Sequence, residues 1–176
     1  SLPHSLRSII GTMLMKDPVF PVPSSLIEKA CSFNDFTCGK TFNLAGDITI
    51  KTGKLNHPNG ACGFRIEYAG KVIAICTDTE HTEGELDQNV VSLARDADIM
   101  VYDAAYTEDE YPKYRGWGHS TWQEAIKVAE AANVKRTFLF HHDPSHDDKF
   151  MDNIAALAAK ARPSVEVAIE GTEFSL

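Results

Sequence analysis

Hydrophobic and polar residues alternate along two stretches in the first half of the chain. Residues 47–51 and 63–68 change between polar and apolar positions at almost every step, which is the period of a half-buried β-strand. Ala69-Gly70 separates the second stretch from the apolar run 71–76, and a two-residue turn of this kind joins the strands of a hairpin. The pattern therefore predicts an early strand followed by a β-hairpin.

A helical pattern follows the hairpin. Thr82 and Glu85 have the spacing of a capping box, in which the side chain of each residue accepts a hydrogen bond from the backbone N–H of the other. Apolar residues then repeat at helical spacing, at Leu86, Val90 and Leu93. The sequence predicts a helix that begins close to Thr82.

Later segments continue to alternate between strands and helices. Short apolar runs predict strands over 98–102, 136–140 and 165–169. Helices are predicted from Ser120 and over 147–162. The positions predicted to face inward on these two helices are Trp122, Ala125, Ile126, Ala129, Phe150, Ile154, Leu157 and Ala161. This order predicts an α/β fold in which helices cover one face of a mixed sheet.

The first part of the chain is less regular. Residues 17–23 contain three prolines, which predicts an extended surface segment. Ser25 and Glu28 are spaced to cap a short helix that continues to about Cys31. Since the sequence shows no repeat and no low-complexity linker, we expect residues 1–176 to form a single domain. Within it, 1–45 would be an irregular leading segment and 46–176 the α/β core.

Composition narrows the class of protein. A hydrophobic content of 43% with 24% charged residues is typical of a globular domain, and the net charge of −8 argues against a generally basic nucleic-acid surface. No apolar run approaches the roughly 20 residues that span a bilayer, so we expect no membrane partner. The four cysteines include no CxxC pair, which favours reduced thiols and a cytoplasmic location over disulfides.

Residues able to bind metals or transfer protons follow several of the predicted strands. His57 and Asp78 each come just after an apolar run, and the loop 140–148 contains three imidazoles and three carboxylates. Loops at the carboxyl ends of strands can bring such groups together, and this loop composition favours metal ligands with supporting hydrogen-bond partners. Alternatives remain open: a single histidine before proline is more often a surface residue, and a strand-end aspartate is commonly a turn former.

Asp103 and His119 form a second candidate pair. Asp103 ends a predicted strand, while His119 lies beside the amino end of the next helix. A carboxylate can hold an imidazole in one tautomer and stabilise its protonated form, which suits a general acid. The alternative is that His119 only helps to cap the helix that opens at Ser120.

Five segments together resemble the later motifs of the metallo-β-lactamase superfamily, in the branch of ribonuclease Z and related phosphodiesterases. They are Leu55-Asn56-His57-Pro58, Thr77-Asp78-Thr79-Glu80-His81, Tyr102-Asp103-Ala104-Ala105-Tyr106, Gly116-Trp117-Gly118-His119-Ser120-Thr121 and Phe140-His141-His142-Asp143-Pro144. The match covers roughly residues 45–170. It implies that the chain forms part of an αββα sandwich.

The resemblance also implies roles for individual residues. His57 would bind one metal, Asp78 would bridge two, and His141 would bind the second. His119, with Asp103 as its acidic partner, would protonate the leaving group. The implied cofactor is Zn²⁺, two per complete site, with Mn²⁺ or Fe as alternatives. The implied reaction is hydrolysis of a phosphodiester bond by metal-bound hydroxide.

One departure from the family pattern changes these expectations. The superfamily signature, an HxHxDH loop, is absent: the chain contains neither an HxH triplet nor an Asp-His pair. The chain therefore resembles the carboxy-terminal portion of such a protein. We expect weak or single-metal occupancy, and an apolar sheet face that associates with the missing amino-terminal half or with a second copy.

The substrate and the activity are open at this point. A small phosphodiester or nucleotide is favoured over an RNA end, because the sequence shows no basic or aromatic nucleic-acid arm. One alternative is a catalytically inactive fragment or degenerate module that acts in assembly or regulation. Another is a mononuclear site, with two histidines and one carboxylate on a single iron.

Overall fold

The computed structural model describes residues 5–11, 25, 29–44 and 46–176. The chain divides into two compact units, 1–37 and 38–176. In the first unit, Ser5 caps the short helix α1 (Leu6–Ile9), and the backbone N–H of Leu6 donates to the Asp35 carboxylate at 2.8 Å. The predicted extended segment 17–23 lies outside the described residues, as do positions 26–28 of the predicted helix that follows it.

A seven-stranded sheet forms the second unit, and its strands lie side by side in chain order. Strands β1 to β4 pair antiparallel, whereas β4 to β7 pair parallel. The strands are β1 (Thr41–Asn43), β2 (Thr49–Leu55), β3 (Ala61–Tyr68), β4 (Lys71–Cys76), β5 (Ile99–Asp103), β6 (Arg136–Phe140) and β7 (Val165–Val167). The predicted α/β class with a mixed sheet is confirmed.

The hairpin predicted from Ala69-Gly70 joins β3 to β4. Tyr68 pairs with Lys71, so the turn has two residues, and both have positive φ angles of 49° and 75°. Such a turn twists in the same sense as the strands that it connects. β1 falls within the segment predicted to be irregular. It forms because its three residues pair with β2.

Four helices follow the hairpin among the described residues: α2 (Gln88–Ala94), α3 (Tyr111–Tyr114), α4 (Trp122–Ala131) and α5 (Asp148–Ala161). The start predicted for the first of them is wrong. Thr82 and Glu85 form an isolated β-bridge, and Asp87 caps α2 by accepting hydrogen bonds from the N–H groups of Asn89 and Val90. The spacing of Thr82 and Glu85 predicted a cap at Thr82, whereas the residue that caps the helix is Asp87.

Helices α2, α4 and α5 pack on one face of the sheet, as predicted, and enclose the main hydrophobic core. Two glycines allow α2 to lie close to the sheet. A Cβ on Gly53 would lie 2.9 Å from the Leu93 side chain, and one on Gly63 would lie 2.8 Å from it. The inward face of α5 is narrower than predicted, since Ile154 and Ala158 are buried while Leu157 and Ala161 are exposed. This helix packs on the terminal strand β7 and so buries only one stripe.

The opposite face of the sheet is also largely apolar. Residues paired in register point to the same face of a sheet, so two rows of side chains run across the strands. One row is Ile50, Ile66, Ile73 and Ile99, and the other is Thr52, Phe64, Ile75, Val101 and Phe138.

Strand direction determines where the polar loops lie. β2, β4, β5 and β6 all run in the same direction, so their carboxyl ends meet at one edge of the sheet. The segments after them begin at Asn56, Thr77, Ala104 and His141. Within the described part of the chain, no helix has the length and apolar character required to cross a membrane.

Candidate metal centre

Five predicted site residues come together at this edge of the sheet. Ligand atoms of His57, Asp78 and His119 all lie within 4.8 Å of one another, and the same holds for Asp103, His119 and His141. The His119 ring lies 5.8 Å from that of His57 and 4.7 Å from that of His141, centroid to centroid. The two groups share His119, so they form one continuous cluster.

Asp103, the last residue of β5, lies at the base of this cluster and has no solvent exposure. Its Oδ2 accepts a hydrogen bond from Nδ1 of His119 at 3.0 Å. Four backbone N–H groups also donate to the carboxylate, those of Asp78, Thr79, Ala105 and Ser120, at 2.9, 3.4, 3.3 and 3.0 Å. These donors compensate the negative charge of the buried carboxylate. They also attach the loops after β4 and β5, and the segment before α4, to this single carboxylate.

This contact favours the protonated form of the His119 imidazole. The hydrogen bond with the Asp103 carboxylate raises the pKa of the His119 imidazole above its ordinary value, although burial acts in the opposite direction. Since Nδ1 faces Asp103, the ring directs Nε2 to the opposite side. His119 can therefore carry a proton on Nε2, the ring nitrogen that is not hydrogen-bonded to Asp103.

Asp78 and His141 both have backbones in the left-handed region, with φ angles of 59° and 63°. This conformation is uncommon for residues other than glycine and often marks functional sites. It brings Nε2 of His141 within 3.7 Å of Oδ1 of Asp78, while Nδ1 of His141 lies 3.6 Å from the Asp103 carboxylate. Both side chains remain partly exposed, so a ligand can reach them from solvent.

His57 is positioned by contacts on both sides. The backbone N–H of Glu80 donates to the carbonyl of Asn56 at 2.7 Å, and the Asn56 amide donates to the Glu80 carbonyl at 2.8 Å. Gly118 lies against the imidazole, where an added Cβ would come within 2.8 Å of Nε2 of His57. The positive φ of Gly118, 94°, also requires a residue without a side chain at this position.

Sequence reasoning missed the role of Glu80. Its buried carboxylate accepts hydrogen bonds from the N–H groups of Gly116 and Gly118 at 2.7 and 2.9 Å, and from the Tyr111 hydroxyl at 3.0 Å. Glu80 therefore holds the segment that carries His119. Its partners lie 31 to 38 residues further along the chain, so no local spacing indicates the contact.

The loop after β6 contributes only His141 to the cluster. His142 faces the carbonyl of Ala104, and burial lowers the pKa of its imidazole. Nε2 of His146 lies 2.9 Å from the Glu110 carboxylate. The Asp143 carboxylate accepts hydrogen bonds from the N–H and hydroxyl of Ser145. These contacts shape the loop and connect it to neighbouring segments.

The cluster fits a divalent cation by its chemistry. Imidazole nitrogen and carboxylate oxygen are ligands that zinc, manganese and iron accept in proteins. The His57, Asp78 and His119 donor atoms are close enough to converge on one ion. Asp103 is the least suited of the five, because it is fully buried and its oxygens already accept hydrogen bonds.

The class of protein follows from comparison with known families. Residues 15–142 match the family model described as the Beta-lactamase superfamily domain. This match covers most of the chain. The protein therefore belongs to the metallo-β-lactamase superfamily.

Individual relatives agree with this assignment. The chain is 30% identical over 132 residues to a protein named Ribonuclease Z from Cyanothece sp., covering 73% of this chain and 39% of the relative. The fold is similar to that of the metallo-β-lactamase fold protein YhfI from Bacillus subtilis, with a TM-score of 0.64, 19% identity and coverage of 80% and 54% of the two chains. It is also similar to the short form of human tRNase Z, with a TM-score of 0.56, 22% identity and coverage of 76% and 45%. The chain spans between 33% and 55% of the length of the curated relatives that it matches.

Proposed function

We propose that this chain contributes the second half of the active site of a metal-dependent phosphodiesterase. His57, Asp78 and His141 would hold divalent cations, with zinc as the first candidate. The observation that carries this proposal is the convergence of ligand atoms around His119, all within 4.8 Å in each group of three. The name Ribonuclease Z among the relatives supports a phosphodiester in RNA or a nucleotide as the substrate class.

His119 acts as the general acid in this proposal. Asp103 orients its ring at 3.0 Å and raises the pKa of the imidazole, so a larger fraction is protonated at neutral pH. Nε2 then donates its proton to the leaving oxygen as the phosphorus–oxygen bond breaks. A divalent cation bound beside it would lower the pKa of water and offset the negative charge of the phosphoryl oxygens.

His119 has a second candidate role, that of a metal ligand, because it offers a ring nitrogen in both groups of candidate ligands. A ligand and an acid respond differently to substitution. Removing a ligand lowers the cation affinity, whereas removing an acid lowers turnover with the cation still bound.

The test is therefore the His119→Ala variant of the full chain. We expect its turnover of thymidine 5′-p-nitrophenyl phosphate with Mn²⁺ to fall by about 10²- to 10⁴-fold, the range of general acid catalysis. Mn²⁺ affinity, measured by calorimetry, should change little. Asp78→Asn should lose both the cation and the turnover.

His146→Asn provides a matched control, because His146 lies in the same loop as His141 but contacts Glu110 instead of the cluster. It should retain both properties. Loss of Mn²⁺ affinity in His119→Ala would assign His119 as a ligand and contradict its role as the acid. If the parent chain binds the cation but shows no turnover, the alternative of a catalytically inactive fragment or degenerate module is the better description of this chain.

A further inference from the structure

Three aromatic side chains extend from His119 to the surface. The Tyr106 ring lies 6.3 Å from that of His119 and stacks on Tyr114 at 4.3 Å, with only 4° between the ring planes. Trp117 meets Tyr114 edge to face, with 5.4 Å between the ring centroids. These contacts form a continuous aromatic path from the candidate site to Trp117.

Trp117 ends this path with 62% of its surface exposed. Large aromatic side chains are frequent at binding surfaces because they provide much contact area at a low cost in conformational entropy. Within the part of the chain that the structure describes, Tyr114 meets this indole with its ring plane nearly perpendicular, and most of the side chain is left open to solvent.

The backbone on either side of Trp117 is held in place. The N–H groups of Gly116 and Gly118 both donate to the buried Glu80 carboxylate. An exposed side chain on a fixed loop loses less freedom when it binds a partner than one on a mobile loop. The contacts of Glu80 therefore fix the backbone that carries the indole before any partner binds.

The distance to the candidate site suits a small organic group attached to a phosphate. Trp117 and His119 are two residues apart, so their Cα atoms are separated by at most about 7 Å. A phosphoryl group beside His119 would therefore leave its attached nucleoside close to the segment that carries the indole.

We propose that Trp117 stacks on the nucleobase of a nucleotide whose phosphate lies beside His119. The inference rests on the proposed function for the position of the phosphate. Flat aromatic bases stack on tryptophan whatever their hydrogen-bonding pattern, so the contact favours nucleotides without selecting one base. Tyr106 and Tyr114 connect the indole to the His119 ring through successive ring contacts.

The test compares AMP with ribose 5-phosphate, which has the same phosphorylated sugar but no base. A Trp122→Phe background leaves Trp117 as the sole tryptophan, because the sequence contains two. AMP should quench its fluorescence, whereas ribose 5-phosphate should not. By calorimetry, Trp117→Ala should weaken AMP binding by about 5- to 100-fold, which corresponds to the stacking contribution of a base.

Two variants serve as controls. Trp117→Phe keeps an aromatic face and should retain most of the affinity for AMP. Tyr68→Ala removes another exposed aromatic side chain, at the opposite end of the sheet, and should leave AMP binding unchanged. Circular dichroism of each variant verifies that the fold is intact.

Three results would overturn the inference: no AMP binding by the parent chain, equal affinities for AMP and ribose 5-phosphate, or unchanged AMP affinity in Trp117→Ala. If AMP and ribose 5-phosphate bind equally well, the result still supports a phosphate site and the proposed function. The proposed function itself is tested separately, by the measurements of cation binding and turnover.

Discussion

His141 and Asp78 reach the candidate site through an unusual backbone conformation. His141 directly follows β6 and Asp78 lies two residues after β4, and both have positive φ angles although neither is glycine. The left-handed conformation costs a residue with a Cβ roughly 1–2 kcal/mol. The apolar runs before them identified both residues as candidates and the resemblance implied their roles, but the conformation depends on the surrounding loops and has no local signature.

Substitution at His141 should reveal this conformational cost. We expect His141→Gly to be more stable than His141→Ala by about 1 kcal/mol, because both remove the imidazole and only glycine adopts this φ freely. Urea unfolding measures the difference. The same pair of substitutions at Phe140, in the extended strand β6, should give the opposite order. Equal stability of the two His141 variants would show that the loop relaxes when the imidazole is removed.

At the level of elements, α2 depends on the absence of side chains in the sheet beneath it. Leu93 from α2 packs against Gly53 of β2 and Gly63 of β3. An added Cβ at Gly63 would also lie 3.2 Å from the carbonyl oxygen of Ile75, a backbone atom that cannot rotate away. At Gly53 the close atoms belong only to the Leu93 side chain.

Gly63→Ala should therefore destabilise the fold by about 1–3 kcal/mol, the usual cost of overpacking a core. Gly53→Ala is the matched control and should cost less, since Leu93 can change rotamer. Chemical unfolding of both variants, each with and without Leu93→Ala, measures the coupling between the two positions. If Gly63→Ala is as stable as the parent, the sheet and helix separate more easily than their packing indicates.

Local signals predicted some elements closely and others poorly. The strand over 136–140 has the predicted bounds, because a short apolar run gives a clear strand pattern. α5 begins after its Asp147 cap and ends before Pro163, as its start and stop signals indicated. By contrast, the side of α5 that is buried depends on its place at the end of the sheet, which the sequence alone does not define.

For the whole molecule, the apolar runs located the strand-end residues and the resemblance implied their roles, while two other features required the structure. Glu80 depends on contacts with a segment far away in the chain, and the aromatic path to Trp117 depends on how one stretch of the chain folds back on itself. No aromatic arm is evident in the sequence because Tyr106, Tyr114 and Trp117 are separated by several residues and meet only in the fold. Association with another half or a second copy stays a prediction, which sedimentation velocity tests directly.

Cation binding should also change the stability of the whole molecule. A ligand that binds only the folded state stabilises it by about 2.7 kcal/mol at a concentration 100 times its dissociation constant. We expect Mn²⁺ to raise the unfolding temperature of the parent chain and to have little effect on Asp78→Asn. Asp152→Asn changes an exposed carboxylate on α5 and should respond as the parent does. A similar rise in Asp78→Asn would place the cation elsewhere.

The agreement between strand order and chain order has a consequence for how the sheet assembles. Each strand from β2 onward pairs with the strand that precedes it in the chain, so its partner has already been made when it emerges. The antiparallel strands β1 to β4 are joined by short connections, which keep the entropic cost of closure low, whereas the parallel strands β4 to β7 are joined by crossovers that contain the helices and pair more slowly. During synthesis on the ribosome, the sheet can therefore grow one strand at a time as the chain emerges.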